Sequence, residues 1–144
     1  MLANRAFVQG EESFWIIYAD NLTNMALSPM VAYHGRHDAP LTIALFRTAE
    51  PRAAGIVTLD PGGCVVRFEE KPERPEGDLA NAGIYLARQS VFDAIPAGVA
   101  AADFGYDVLP GLVGRMYGYL ISGFFADIGT PERLARANVE WPGR

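Results

Sequence analysis

Phe14 to Asn21 reads FWIIYADN. Five large apolar or aromatic residues follow one another without a break, and an acid comes two positions later. An unbroken apolar run of strand length suits a strand buried on both faces, the habit of a parallel sheet. Asp20 then has two readings. Either it ends a buried strand, or the strand exists to hold its carboxylate over a ligand.

Outward from this strand, helical and extended patterns alternate. Residues 2–9 (LANRAFVQ) read as a helix with Leu2, Ala6 and Phe7 on one side, although nothing caps its start. Ser28-Pro29 predicts a helix to about His37, with Ser as N-cap and Pro at the first helical position. LTIALFR (41–47) is the next strand, rich in β-branched and aromatic residues. GIVTLD (55–60), the turn Pro61-Gly62-Gly63 and CVVRFEE (64–70) predict a hairpin. NAGIYL (81–86) is another strand, and Ser90 caps a short helix to Ile95. Asp103 caps a helix carrying Val108, Leu109, Leu112 and Val113, which Pro110 kinks or divides. MYGYLISGFFADIG (116–129) holds two short β segments broken at Gly123, and Thr130-Pro131-Glu132 opens the last helix. This order predicts an α/β fold with a mostly parallel sheet and a β-hairpin insertion.

The bulk numbers narrow the class. The 144 residues suit one domain, residues 1–144, and the 50% hydrophobic content is enough for a sizeable core. A net charge of −5 without any basic run argues against nucleic acid as a partner. Cys64 is the one cysteine, so no internal disulfide is expected, as in a reducing cytoplasm. No apolar run approaches the ~20 residues of a membrane span, and no long apolar core follows Met1 as in a signal peptide. The expectation is a cytoplasmic enzyme or binding domain. EEKPERPEGD (69–78) reads as a solvated loop for most of its length.

Chemistry in open α/β sheets gathers beyond the carboxyl ends of the strands. Asp20 lies at such an end, and Asp127 ends a second apolar stretch, GFFAD. If both strands are central, the two carboxylates face each other across one edge. Two hard oxygen ligands suit magnesium, which takes one or two carboxylates together with substrate phosphates. The alternative is that each acid caps a turn. Pro72 biases Lys71 toward extended geometry, where the ammonium either holds a phosphate or joins a surface charge pair. Gly55 starts a strand and Gly83 lies inside one, so each allows a close ligand approach or marks a bulge. Asn81 can bond sugar hydroxyls or satisfy a local turn. His34 and His37 (HGRH) have a metal-like spacing, but at a helix end that reads as solvated and without a third ligand. Cys64 reads as a small core residue. No Ser-His-Asp pattern, GxGxxG or Walker sequence is present.

The order of motifs resembles a known family. YADN, TIALFR, GIVTLD, VVRFEEKP, NAGIYL, DFGYDVLP and FFADIGTPERL, in that order, look like the central and C-terminal part of the sugar-1-phosphate nucleotidyltransferases. That family includes mannose-1-phosphate guanylyltransferases and glucose-1-phosphate thymidylyltransferases. The resemblance runs from the first helix to about Val139. It implies a three-layer α/β/α Rossmann-like nucleotide-diphospho-sugar transferase fold. It also implies that Asp20 and Asp127 bind magnesium, that Gly55 lies against the sugar and that Glu70 holds sugar hydroxyls. Lys71 matches the lysine on the sugar phosphate, and Asn81 a polar sugar contact. The implied reaction joins a sugar 1-phosphate to a nucleoside monophosphate drawn from a triphosphate, with loss of pyrophosphate. YADN and NAGIY lean toward GTP and manno-configured sugars.

Two departures from the family pattern stand out. Ala19 takes the place of the usual glycine before the first metal aspartate. The Gly-rich GGxGTRLxPLT loop that cradles the triphosphate does not occur in the 144 residues. The expectation is an N-terminally truncated domain that lacks transfer activity by itself and is either poorly soluble or self-associated. The alternative is a non-catalytic sugar-phosphate-binding or regulatory module, or an inactive fragment.

Overall fold

The computed structural model describes residues 2–98 and 102–143. Its main sheet contains β1 (Phe14–Ile17), β3 (Leu41–Arg47), β4 (Gly55–Leu59), β5 (Val65–Glu70), β6 (Leu79–Ala87) and β7 (Met116–Leu120). The order is β5-β4-β6-β3-β7, with β1 added alongside β6. A separate two-stranded ladder joins β2 (Asn21–Thr23) to β8 (Phe125–Asp127). Helix α1 is Leu27–His34 and helix α2 is Pro131–Glu140.

The α/β class holds, but the strand directions differ from the expectation. Among the described residues only β3 and β7 run parallel; the ladders of β6 with β1, β3 and β4, of β4 with β5, and of β2 with β8 are antiparallel. The reason is physical. An unbroken apolar run reports that both faces are covered and says nothing about the direction of the neighbour. The two faces are indeed covered. Leu41, Ile43, Leu45, Tyr85 and Ala87 point into one core with Val91, Val108, Leu109 and Leu112. Ala44, Ala82, Ile84 and Leu86 point into a second core with Met25 and Met30 of the α1 side. Phe14 and Ile16 pack on the first and Trp15 on the second, as strand alternation requires. FWII is therefore covered on both faces but only partly buried, and Ile17 is half exposed.

Other elements follow or correct the sequence reading. The hairpin 55–70, the break at Gly123 and the Thr130 cap are present, with Thr130 Oγ1 accepting from the Arg133 N–H. Asp103 caps its segment by accepting from the Tyr106 N–H. That segment splits at Pro110 into a wide π turn, Phe104–Val108, and a tight 3-10 turn, Leu109–Leu112. Residues Leu2–Val8 form a 3-10 helix rather than an α-helix. There Val8 packs on the core and Phe7 is 90% exposed. α1 starts at Leu27 with Ala26 as an unbonded cap, so Ser28 and Pro29 lie inside its first turn, and the helix ends at His34. Ser90 likewise lies inside a 3-10 turn, Gln89–Ala94, that Arg88 precedes.

The end of α1 is not solvated. His34 is 2% exposed, and its Nδ1 sits 2.7 Å from Thr42 Oγ1. His34 Nε2 and His37 Nδ1 are buried without a hydrogen-bond partner among the described residues. Cys64 is half-buried beside Tyr117 at the hairpin turn and outside both core clusters.

Candidate functional site

A cleft of about 320 Å³ opens where β2, β6 and β8 meet the start of β4 and the end of β5. Two groups of polar side chains line it. The first forms around the β2–β8 ladder. Asn21 pairs with Asp127 in that register, and the Ile128 N–H donates to the Asp20 carbonyl at 2.8 Å. These bonds bring Asp20 and Asp127 together from opposite parts of the chain. Their carboxylates converge over Gly129. A Cβ at that position would lie 2.9 Å from Asp20 Oδ2 and 3.1 Å from Asp127 Oδ1, so glycine is what leaves the gap between them open. Asp127 Oδ1 also accepts from the Gly129 N–H at 2.8 Å, and Oδ2 meets Arg133 Nη1 at 2.5 Å. The two-carboxylate gap fits a hard divalent cation that keeps waters or takes phosphate oxygens as its other ligands. Among the described residues no third acid, histidine or cysteine completes a cage.

The second group forms around the end of β5. The Glu70 carboxylate is packed between two glycines. Cβ atoms at Gly55 and Gly105 would approach its Oε2 to 2.6 Å and 2.8 Å. The space over Gly55 is thus filled by Glu70 and the Phe68 ring. Burial raises the Glu70 pKa above the ordinary carboxylate range; Lys71 pulls it back and the neighbouring Asp103 adds to the rise. Lys71 has a φ of 47°, on the left-handed side, rather than the extended geometry its proline predicts. The turn is held by the Lys71 N–H on the Ala54 carbonyl at 3.2 Å, which ties the strand end to Gly55. The side chain of Lys71 is exposed along the cleft wall.

A bulge in β6 links the two groups. Ile43 faces Tyr85 and Leu45 faces Asn81, with the register slipping between them. Gly83, at φ +65°, sits in the slip; a Cβ there would strike Tyr18 at 2.7 Å and Asn21 Nδ2 at 3.0 Å. The bulge turns the Ala82 and Gly83 carbonyls outward, where Asn21 Nδ2 donates to both at 2.7 and 3.2 Å. Asn81 holds the bulge from inside, accepting from the Gly83 N–H and donating to the Tyr85 hydroxyl. Its local-turn role is therefore present, and the amide has a second hydrogen to donate. Tyr18 lies between the groups. Burial raises its phenol pKa, and Asp103, Glu70 and Asp20 add to the rise against the hydrogen bond of Tyr85.

This arrangement can be compared with known proteins. Residues 1–142 match the family model described as nucleotidyl transferase. The chain belongs to the nucleotidyl transferase family. It is 33% identical over 139 residues to a glucose-1-phosphate adenylyltransferase of Desulfitobacterium hafniense (strain Y51), covering 90% of this chain and 35% of the relative. It is 32% identical over 143 residues to a mannose-1-phosphate guanylyltransferase of Mycobacterium tuberculosis (strain H37Rv), covering 96% of this chain and 40% of that one. Among solved structures it superposes with a TM-score of 0.82 and 25% identity on a Bacillus anthracis protein assigned as a glucose-1-phosphate thymidylyltransferase, in complex with sucrose. That match covers 95% of this chain and 57% of the other. The chain thus spans less than half the length of the curated relatives it matches. Nucleotidyl transferases of this family generally use a divalent metal.

In this nucleotidyl transferase chain all six expected site residues, Asp20, Gly55, Glu70, Lys71, Asn81 and Asp127, line the one cleft. Sequence reasoning missed Tyr18, Asn21, Asp103, Tyr106 and Arg133, which line it too. Asn21 stood inside the quoted YADN, but its task is to bond two carbonyls of a bulge, which no local pattern shows. Arg133 did carry a signal. It is a cation in the first turn of a helix, where the backbone dipole disfavours one.

Proposed function

We propose that the chain is the sugar-binding and metal-binding part of a sugar-1-phosphate nucleotidyltransferase. One observation carries this reading: the β2–β8 ladder sets Asp20 beside Asp127 on the same cleft as Glu70 and Lys71. An oxygen of the sugar 1-phosphate attacks the α-phosphorus of a nucleoside triphosphate, the bond from that phosphorus to the bridging oxygen breaks, and pyrophosphate leaves. The chemistry needs positioning and charge neutralisation rather than a protein nucleophile. Asp20 and Asp127 would hold magnesium, which supplies positive charge to the phosphate oxygens. Lys71 holds the sugar phosphate, Glu70 accepts from sugar hydroxyls and Asn81 completes the sugar side, while Gly55, expected against the sugar, instead makes room for the Glu70 carboxylate. We favour GTP and a mannose-type sugar 1-phosphate, supported by YADN and NAGIY and by the guanylyltransferase that matches 96% of the chain. Both substrates are water-soluble phosphates, which supports a cytoplasmic setting. No helix among the described residues is long and apolar enough to cross a membrane.

A second reading, a non-catalytic sugar-phosphate-binding module, is favoured by Asp127, whose Oδ1 accepts from the Gly129 N–H while its Oδ2 pairs with Arg133. Calorimetric titration with mannose 1-phosphate, with and without magnesium and each of four nucleoside triphosphates, separates the two. Under the enzyme reading, magnesium with one of the triphosphates strengthens sugar-phosphate binding, and Asp127→Asn abolishes that gain without changing the fold. Sugar-phosphate binding that neither magnesium nor any triphosphate alters selects the binding module. Absence of any sugar-phosphate binding eliminates both.

A further inference from the structure

Arg133 is the third residue of α2, where the backbone N–H groups of the first turn and the helix dipole make the surroundings positive. A cation there is unfavourable unless an anion answers it. The Thr130 cap fixes the backbone of Arg133, with the N–H 3.2 Å from Oγ1. The side chain then turns into the cleft and places Nη1 2.5 Å from Asp127 Oδ2. Nη2 stands 3.7 Å from Glu50, on the loop that leads to Gly55. The guanidinium therefore lies between Asp127, which lines the cleft, and Glu50 on the loop before Gly55. Because the Gly129 N–H already occupies Oδ1, both oxygens of Asp127 have partners from within the chain. The oxygen that faces Asp20 over Gly129 is Oδ1, held by the Gly129 N–H, so Arg133 on Oδ2 opposes a cation through its charge and by fixing the orientation of the carboxylate.

We propose that Arg133 is a built-in competitor of the divalent cation at Asp127, displaced when an anionic substrate phosphate draws its guanidinium away. The inference rests on the metal reading of Asp20 and Asp127 given above. Arginine suits the exchange because its planar fork of donors fits a carboxylate and a phosphate equally well. The consequence is coupling. A cation removes the carboxylate that competes for Arg133, and a phosphate removes the guanidinium that competes for Asp127, so each favours the other. The pair is about two-fifths exposed on both sides, so the competition is modest in size.

The test is Mn²⁺ binding in the absence of substrates, followed by the electron paramagnetic resonance signal of the free ion, for the wild-type protein and for R133Q, R133K and D127N. R133Q is expected to bind Mn²⁺ about two- to fivefold more tightly than wild type, while R133K stays near wild type. Added mannose 1-phosphate should strengthen Mn²⁺ binding more in wild type than in R133Q. Unchanged or weaker binding in R133Q, with D127N still removing the site, overturns the inference and leaves the metal reading standing. Equal enhancement by the sugar phosphate in both proteins overturns the proposed displacement. Mn²⁺ binding that ignores D127N overturns the metal reading and the inference together.

Discussion

Lys71 is the one described residue other than glycine with a positive φ, and it sits between Glu70 and Pro72 in the cleft wall. A left-handed conformation costs an L-residue roughly 1–2 kcal/mol, and such strain persists where a site demands it. Lys71→Gly is therefore expected to keep or raise the unfolding free energy, by up to about 1 kcal/mol, while sugar-phosphate binding is lost. Lys71→Ala should lose binding without the gain. Urea unfolding beside calorimetry reads both effects. A Lys71→Gly protein that binds normally would show that the turn, and not the ammonium, matters. His34 makes a second residue-scale case. Burial, with Arg88 and His37 adding positive charge, lowers its pKa from 6.5 to about 4. The folded chain holds it neutral, while the unfolded chain takes up a proton below 6.5. Its contribution is complete above pH 6.5 and is lost as pH falls toward 4, by about 3 kcal/mol in all. The urea midpoint should drop over that window. In His34→Leu the slope in that window should shrink; a slope of wild-type size would assign the loss to other groups.

At the scale of elements, the β6 bulge organises the cleft. Gly83 permits it through a positive φ and through the room its missing Cβ leaves for Tyr18 and Asn21. Gly83→Ala is expected to cost about 1–3 kcal/mol from backbone strain alone. It should also loosen the Asn21 bonds to the Ala82 and Gly83 carbonyls. The lowered melting point should be accompanied by weaker Mn²⁺ binding, because Asn21 lies next to Asp20. A stable Gly83→Ala protein with intact Mn²⁺ binding would separate the bulge from the carboxylate pair. Much of this element-level structure was legible beforehand. LTIALFR coincides with β3, and the hairpin turn and the Thr130 cap stand where glycine and hydroxyl chemistry put them. Those signals act between residues close in sequence. The start of α1 was misread because Ser28-Pro29 is a good local cap that the chain passes over, beginning at Leu27 instead.

For the whole molecule, the outer edge of β1 is the exposed feature. β1 pairs with β6 on one side only among the described residues, and Ile17 and Tyr18 beside that edge are 50% and 41% exposed. Unpaired N–H and C=O groups next to apolar side chains are a template for another strand. We expect the 144-residue chain to self-associate, with a sedimentation coefficient that rises with protein concentration. Ile17→Lys should suppress the rise, since a charge on an edge strand opposes pairing. A monomer at all concentrations would count against the edge as an association surface.

FWIIYADN shows where the two levels part. Residue order alone determined that this run would be a covered strand ending near an acid, that hairpin and caps would punctuate the chain, and which family the motifs resemble. Each of these depends on nearest neighbours or on side-chain type. The fold decided that the strand runs antiparallel to β6, that Asp20 meets Asp127 through the β2–β8 ladder, and that Lys71 turns left-handed. It also decided that Arg133 lies on Asp127. Those facts depend on which distant segments pair and in what register, and side-chain pattern records how much of a strand is covered without recording by whom.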